Sequence, residues 1–247
     1  MFDLAEKTAL VTGAAKRIGN AIATGLAKER VNVIIHYSRS ESEAKKLQKS
    51  LVALGVESWT IKMDLHGAKS CEDLLEEAYR SAGRMEILVN NASIFLPNEV
   101  TNVSLKSIEL EMFINAWTPF LLTRDFSKKT RSGKIVNLLD TRIAGYDFNH
   151  FAYYLSKKML EVLTESMALR LSPNITVNGI APGLILPPEG KDLAYLEQRK
   201  NTVPMKKYGA LIDIVETVIF LLRSDFITGQ VIYVDGGKHL VRTLEGF

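Results

Sequence analysis

Residues 8–27 read TALVTGAAKRIGNAIATGLA. The first five, TALVT, are a short apolar run of strand type, and from residue 17 to about 29 the pattern is amphipathic and helical. Gly13 lies between the two. A glycine turn at such a junction sets backbone N–H groups at a helix N-terminus, where a pyrophosphate binds well. The spacing Gly13-x-x-x-Arg17-x-Gly19 is not G-x-G-x-x-G, and glycine turns between strand and helix are common. The rest of the chain has to decide what this one does.

Alternation of strand and helix continues to the end. Strands are expected at 8–12, 31–37 (VNVIIHY), 58–63 (SWTIKM), 86–90 (EILVN), 134–139 (KIVNLL), 175–180 (ITVNGI) and 230–234 (QVIYV), with helices near 17–29, 41–54, 68–82, 104–130, 152–171 and 211–223. The strands are short and rich in Val and Ile, as parallel strands buried on both faces are. This order predicts a doubly wound α/β fold, a seven-stranded parallel sheet with helices on both faces. No linker or low-complexity tract divides the chain, so a single domain is expected over 1–247. The one long irregular stretch, GLILPPEGKDLAYLEQRKNTVPMKKY (183–208), is rich in breakers. A segment of that length in a compact domain reads as a lid over a site.

A net charge of +3, with no basic block interleaved with aromatics, does not suggest a nucleic-acid binder. Cys71 is the only cysteine, which excludes an internal disulfide, and the four histidines show no metal-ligand spacing. No apolar run approaches the about 20 residues of a membrane span, and the N-terminus lacks the pattern of a secretory signal. A reducing cytoplasm is the expected compartment.

Ligands of such folds bind at the C-terminal edge of the sheet. There the second strand ends IIHYSRS, without the carboxylate that holds a ribose 2′-hydroxyl and with Ser38, Arg39 and Ser40 in its place. Those side chains suit a 2′-phosphate through charge-assisted hydrogen bonds; the competing reading is a solvated loop arginine. Asp64, after the third strand, suits an adenine amino group, and NNAS (90–93) follows the fourth. Farther on, FAYYLSKK (151–158) holds Tyr-x-x-x-Lys in two registers, Tyr153 with Lys157 and Tyr154 with Lys158. Adjacent helical residues point about 100° apart, so one pair at most faces a given site.

With TGAAKRIG, NNAS, Asn115 in INAWTPF, YYLSK, APG (181–183) and YVDGG (233–237) in this order, the chain resembles the short-chain dehydrogenase/reductases from end to end. The resemblance implies a single-domain Rossmann fold, an NADP(H)-dependent oxidoreductase and, commonly, a homotetramer built on the helices around 104–130 and 152–171. It favours the register with Ser156 before Lys157, making Tyr153 the acid, Lys157 the group that holds the nicotinamide ribose and lowers the phenol's pKa, and Asn115 a relay through water. It places cofactor contacts at Gly13, Arg17, Ile18, Gly19, Tyr37, Ser38, Arg39, Ser40, Asp64, Leu65, Asn91, Ala92, Ser93, Lys157, Pro182 and Gly183.

Two departures narrow the substrate. Arg17 replaces the middle glycine of T-G-x-x-x-G-x-G, and Asp140 stands thirteen residues before Tyr153, where the family's serine donates to a ketone oxygen. An ionised carboxylate only accepts. Both departures, with HYSRS, NNASIF and PGLIL, resemble the pteridine reductases and bacterial dihydromonapterin reductases. That implies NADPH reduction of a 7,8-dihydropterin or, more weakly, dihydrofolate: hydride goes to C6 and a proton to N5, with Asp140 and Tyr153 supplying or relaying the proton. Arg17, Ser93, Phe95, Asp140 and Tyr153 then line the substrate site, Phe95 stacking on the flat heterocycle. Three plainer readings stand beside these: Phe95 as lid packing, Arg17 serving only phosphates, and Asp140 as an ion-pair partner of Arg142 or Arg124. Two other functions stand as well, a carbonyl reductase such as a 3-oxoacyl reductase, and an NADP(H)-binding regulator without turnover.

Overall fold

The computed structural model describes residues 2–241 and the short strand Leu244–Glu245; residues 1, 242, 243, 246 and 247 of the expected domain lie outside the described residues. In chain order come β1 (Thr8–Val11), α1 (Arg17–Lys28), β2 (Asn32–Tyr37), α2 (Glu41–Ala53), β3 (Ser58–Lys62), α3 (Ala68–Ala82), β4 (Ile87–Asn90), α4 (Leu105–Met112), α5 (Thr118–Lys129), β5 (Gly133–Leu138), β6 (Tyr146–Asp147), α6 (Phe151–Leu171), β7 (Ile175–Pro182), α7 (Ala194–Arg199), α8 (Leu211–Arg223), β8 (Val231–Val234) and β9 (Leu244–Glu245).

The main sheet has seven strands in the order β3-β2-β1-β4-β5-β7-β8, each neighbouring pair parallel. Side chains alternate across it with period two. Ala9 and Val11 of β1 pack into one core with Ile22 and Leu26 of α1 and Val215 and Val218 of α8. Leu10 packs into the other, with Leu74 and Leu75 of α3 and Leu122 and Phe126 of α5. A strand buried on both faces has no polar side to show, which is why these runs read as mostly apolar sequence without alternation. The winding reverses between β1 and β4, and at such a switch point the C-terminal ends of the strands leave a crevice.

Three features differ from expectation. The helix foreseen over 104–130 is interrupted by a π-helical turn, Phe113–Trp117. Pro119 in the first turn of α5 has no N–H to give the carbonyl four residues back, that of Asn115, so the i→i−4 ladder cannot run through. The 183–208 segment is not wholly irregular: it holds α7 and a 3₁₀ turn, Lys200–Thr202, pinned by buried Leu196 and Val203. A second small sheet, unforeseen, pairs β6 with β9 in parallel. No helix among the described residues is long and apolar enough to cross a membrane.

Candidate active site

The glycine turn is held from three sides. Gly13 has φ +61°, and its N–H donates to Nδ1 of His36 at 3.1 Å, while the N–H of Ala14 donates to the His36 carbonyl at 2.9 Å. Because Nδ1 accepts, the imidazole proton sits on Nε2, which faces the Met63 carbonyl at 3.1 Å. Burial pushes the His36 pKa down to about 4, so the ring is neutral. Just past β4, Asn91 Nδ2 donates to the carbonyls of Thr12 (2.8 Å) and Gly13 (3.1 Å), and the N–H groups of Asn91 and Ala92 donate to Thr12 Oγ1. A Cβ on Gly19 would lie 2.5 Å from the Gly13 carbonyl oxygen and 2.6 Å from Asn91 Nδ2; only glycine fits. Arg17 adopts φ +55°, a left-handed conformation natural to glycine, and its Nη2 donates to the carbonyl of Pro187 at 2.7 Å. The 183–208 segment is thereby tied to the turn.

A cleft of about 530 Å³ opens beside this turn. Its walls gather Gly13, Arg17, Ile18 and Gly19, then Tyr37, Ser38, Arg39 and Ser40 after β2, Asp64 and Leu65 after β3, and Asn91, Ala92 and Ser93 after β4. Pro182 closes β7, and Gly183 follows it so tightly that a Cβ would lie 2.5 Å from that of Asp235. Neither belongs to that cleft wall.

At the other end, Asp140 caps a 3₁₀ turn after β5 and α6 brings Tyr153 to it: the phenol donates to Asp140 Oδ2 at 3.0 Å. Tyr154 faces away, against Tyr146, and Lys158 pairs with Glu161 at 2.8 Å. Of the two registers, only Tyr153–Lys157 enters the site. Lys157 is buried, donates to the Leu138 carbonyl at 2.7 Å and lies 5.7 Å from the Tyr153 ring centre; burial lowers its pKa to about 8. The expectation that Lys157 lowers the phenol's pKa needs correcting. Burial first and the Asp140 carboxylate second hold Tyr153 well above its ordinary value, and the cation that opposes them is Arg142.

Asn115 sits in the π-helical turn, its amide fully engaged: Oδ1 accepts from Ser93 Oγ (3.0 Å) and Ile94 N (2.9 Å), and Nδ2 donates to the Ile94 carbonyl (2.9 Å) and Ser156 Oγ (3.0 Å). It shapes the cleft wall and has no direct bond to Tyr153 or Lys157. Phe95 meets Tyr153 edge-on with centroids 4.7 Å apart. One face of its ring is taken by the imidazole of His150, stacked at 4.1 Å, and the Arg142 guanidinium lies 5.0 Å from its centre. The expected stacking platform is therefore partly covered by the protein's own side chains.

Sequence reasoning missed His36, Asp147 and His150, and weighed Arg142 only as an ion-pair partner. Arg142 Nη1 lies 3.2 Å from Asp140 Oδ2 and its Nε 2.7 Å from Asp147 Oδ2, while His150 Nδ1 is 3.1 Å from the same oxygen of Asp147. The His150 spacing from Asp147, three residues, was the one available signal.

Three comparisons bear on this geometry. A family model described as enoyl-(acyl carrier protein) reductase matches residues 13–239. Among characterised relatives, the 3-oxoacyl-[acyl-carrier-protein] reductase FabG of Staphylococcus epidermidis is 34% identical, covering 95% of this chain and 99% of its own. Pteridine reductase 1 of Leishmania tarentolae is 33% identical over 95% and 96%. Among solved structures, FolM alternative dihydrofolate reductase 1 from Brucella canis, complexed with NADP, superposes with a TM-score of 0.93 at 32% identity, covering 99% of this chain and 98% of that one.

Proposed function

The chain belongs to the short-chain dehydrogenase/reductase family, and from that premise we propose that it is an NADPH-dependent reductase of 7,8-dihydropterins, with dihydrofolate a weaker substrate. The cleft suits the dinucleotide: Gly19 leaves no room for a Cβ and Gly13 turns the chain at positive φ, backbone N–H groups head a 12-residue helix, and Ser38, Arg39 and Ser40 meet the needs of a 2′-phosphate. NADPH, when bound, supplies the hydride.

The observation that carries the substrate class is the Tyr153–Asp140 hydrogen bond. A ketone reductase needs a second donor for the carbonyl oxygen. Asp140 instead accepts from Tyr153 and from Arg142, so of this pair only the phenol carries a proton to give. One proton is what the N5 imine nitrogen of a dihydropterin requires when hydride arrives at C6. Tyr153 is the donor, Asp140 its orienting acceptor, and Lys157 would hold the nicotinamide ribose. Asn115 fixes Ser93 and Ile94 at the cleft wall, and the 183–208 segment, tied down by Arg17, serves as the substrate lid. The named relatives support this reading as pterin and folate reductases.

The acyl-carrier relative supports the second reading, a 3-oxoacyl reductase. Following NADPH oxidation with 7,8-dihydromonapterin or 7,8-dihydrobiopterin beside acetoacetyl-CoA separates the two. Turnover of the pterins alone is expected; turnover of the thioester alone, with gain of activity in Asp140→Ser, would reverse the assignment. Trp117, Val162 and Leu169 are exposed around α5 and α6, which supports the homotetramer, and sedimentation equilibrium tests it.

A further inference from the structure

We propose that Arg142 is a positioning residue of this reaction, holding Asp140 on the Tyr153 hydroxyl and bringing the positive charge that opposes Asp140 at the phenol. The geometry is closed on both oxygens of the carboxylate. Oδ1 accepts the Arg142 main-chain N–H at 2.9 Å, and Oδ2, the oxygen that accepts the Tyr153 hydrogen bond, also faces Arg142 Nη1 at 3.2 Å. One residue thus fixes Asp140 through backbone and side chain together.

Arg142 is itself anchored. Its Nε meets Asp147, a carboxylate whose side chain is 1% exposed. Asp147 also accepts the main-chain N–H groups of Asn149 and His150, at 3.0 Å each. Despite burial, Asp147 is held below the usual carboxylate range by His150 and by the Arg142 charge, so it remains an anion under the guanidinium. The charges facing the phenol are Asp140 and Arg142 from the turn after β5, Lys157 from its own helix and Glu111 from α4, with His150 and Asp147 behind. Lys157, the cation on the same helix, spends its bond on the Leu138 carbonyl. Asp140 and Glu111 make the phenolate costly, and Arg142 offsets them. Without it, the acid would give up its proton against two carboxylates.

The inference rests on Tyr153 being the proton donor. The test compares wild type with Arg142→Ala, Arg142→Gln and Arg142→Lys, each first shown to bind NADPH as folded protein. The neutral variants should lose roughly 10–100-fold in kcat with NADPH affinity unchanged, and the limb of the pH profile governed by Tyr153 should move to higher pH, because a cation has been removed from beside an acid. Arg142→Lys should restore most of the rate and the profile. A neutral variant with full kcat, or one slowed with its profile unmoved, overturns the proposal.

A second readout needs no substrate. NMR of protein labelled at the tyrosine phenol carbon, with the Tyr153 signal identified by its loss in Tyr153→Phe, should show that signal displaced in Arg142→Gln and restored in Arg142→Lys; an unmoved signal overturns the role. If wild type turns over neither pterin nor thioester, the assigned function fails, while this readout still decides the part played by Arg142.

Discussion

At the glycine turn, the hydrogen bonds that hold Gly13 in place run between main-chain amides, main-chain carbonyls and neutral side chains: Gly13 to His36, Asn91 to Thr12 and Gly13. Beyond β5 the contacts centre on charges: Tyr153 donates to Asp140, Asp140 pairs with Arg142, Arg142 with Asp147, and Asp147 lies against His150. The first arrangement is set by backbone path and fixes shape. The second is set by side-chain chemistry and fixes proton affinity. A shape that accepts a dinucleotide can be shared among many reactions, whereas a charge pattern is particular to one, and in this chain the departures from the family's common residues that narrow the substrate include Asp140 at the charged end.

Three experiments press on that contrast. The largest effect belongs to Tyr153→Phe, which removes the phenol proton and should cut kcat about a thousandfold while leaving NADPH affinity unchanged; equal damage from Tyr154→Phe would mean that the wrong face of α6 has been assigned. Next comes acid sensitivity at the uncharged end. His36 titrates near 6.5 in an unfolded chain and at about 4 here, so the unfolded chain binds the additional proton between those values and stability falls as pH drops through them. Above pH 6.5 the residue is indifferent; by pH 4 the loss approaches roughly 3 kcal/mol. Urea unfolding of wild type and His36→Asn at pH 7 and pH 4.5 should show a shallower pH slope in the variant, and identical slopes would remove His36 as the cause. The smallest effect is at Arg39, exposed in the cleft wall: Arg39→Ala should weaken NADPH roughly 10-fold or more and spare NADH, and equal losses for both coenzymes would deny it the 2′-phosphate.

How much of this could be read from the sequence differs along the same line. Strands such as VNVIIHY and KIVNLL announce themselves because burial on both faces favours Val, Ile and Leu, and their observed limits lie within about two residues of the apolar runs. The glycine turn was visible because its demand is local. Asp140 was visible by counting back from Tyr153. Arg142 was one of two ion-pair partners read for Asp140, but its anchoring on Asp147 was not visible, since nothing in TRIAGYDFNH says that the arginine turns inward and the histidine folds over Phe95. Those choices depend on a ring supplied from after β4, about 50 residues away. His36 was hidden for a related reason: in IIHY it is one polar residue at the end of an apolar strand, and its task appears only when the turn at Gly13 lies against it. The π-helical turn left a trace, Pro119, but a proline two residues into a helix is also an ordinary start.

The left-handed backbone at Arg17 has a consequence for anyone who would make the protein sturdier. A non-glycine residue at φ +55° gives up on the order of 1 kcal/mol, which for a chain of this size corresponds to a melting temperature lower by about 2–4 °C. Glycine at position 17 would return that margin and, in the same substitution, delete the guanidinium that ties Pro187 to the turn. Thermal robustness and the link between the glycine turn and the 183–208 segment therefore trade against each other at a single dihedral angle.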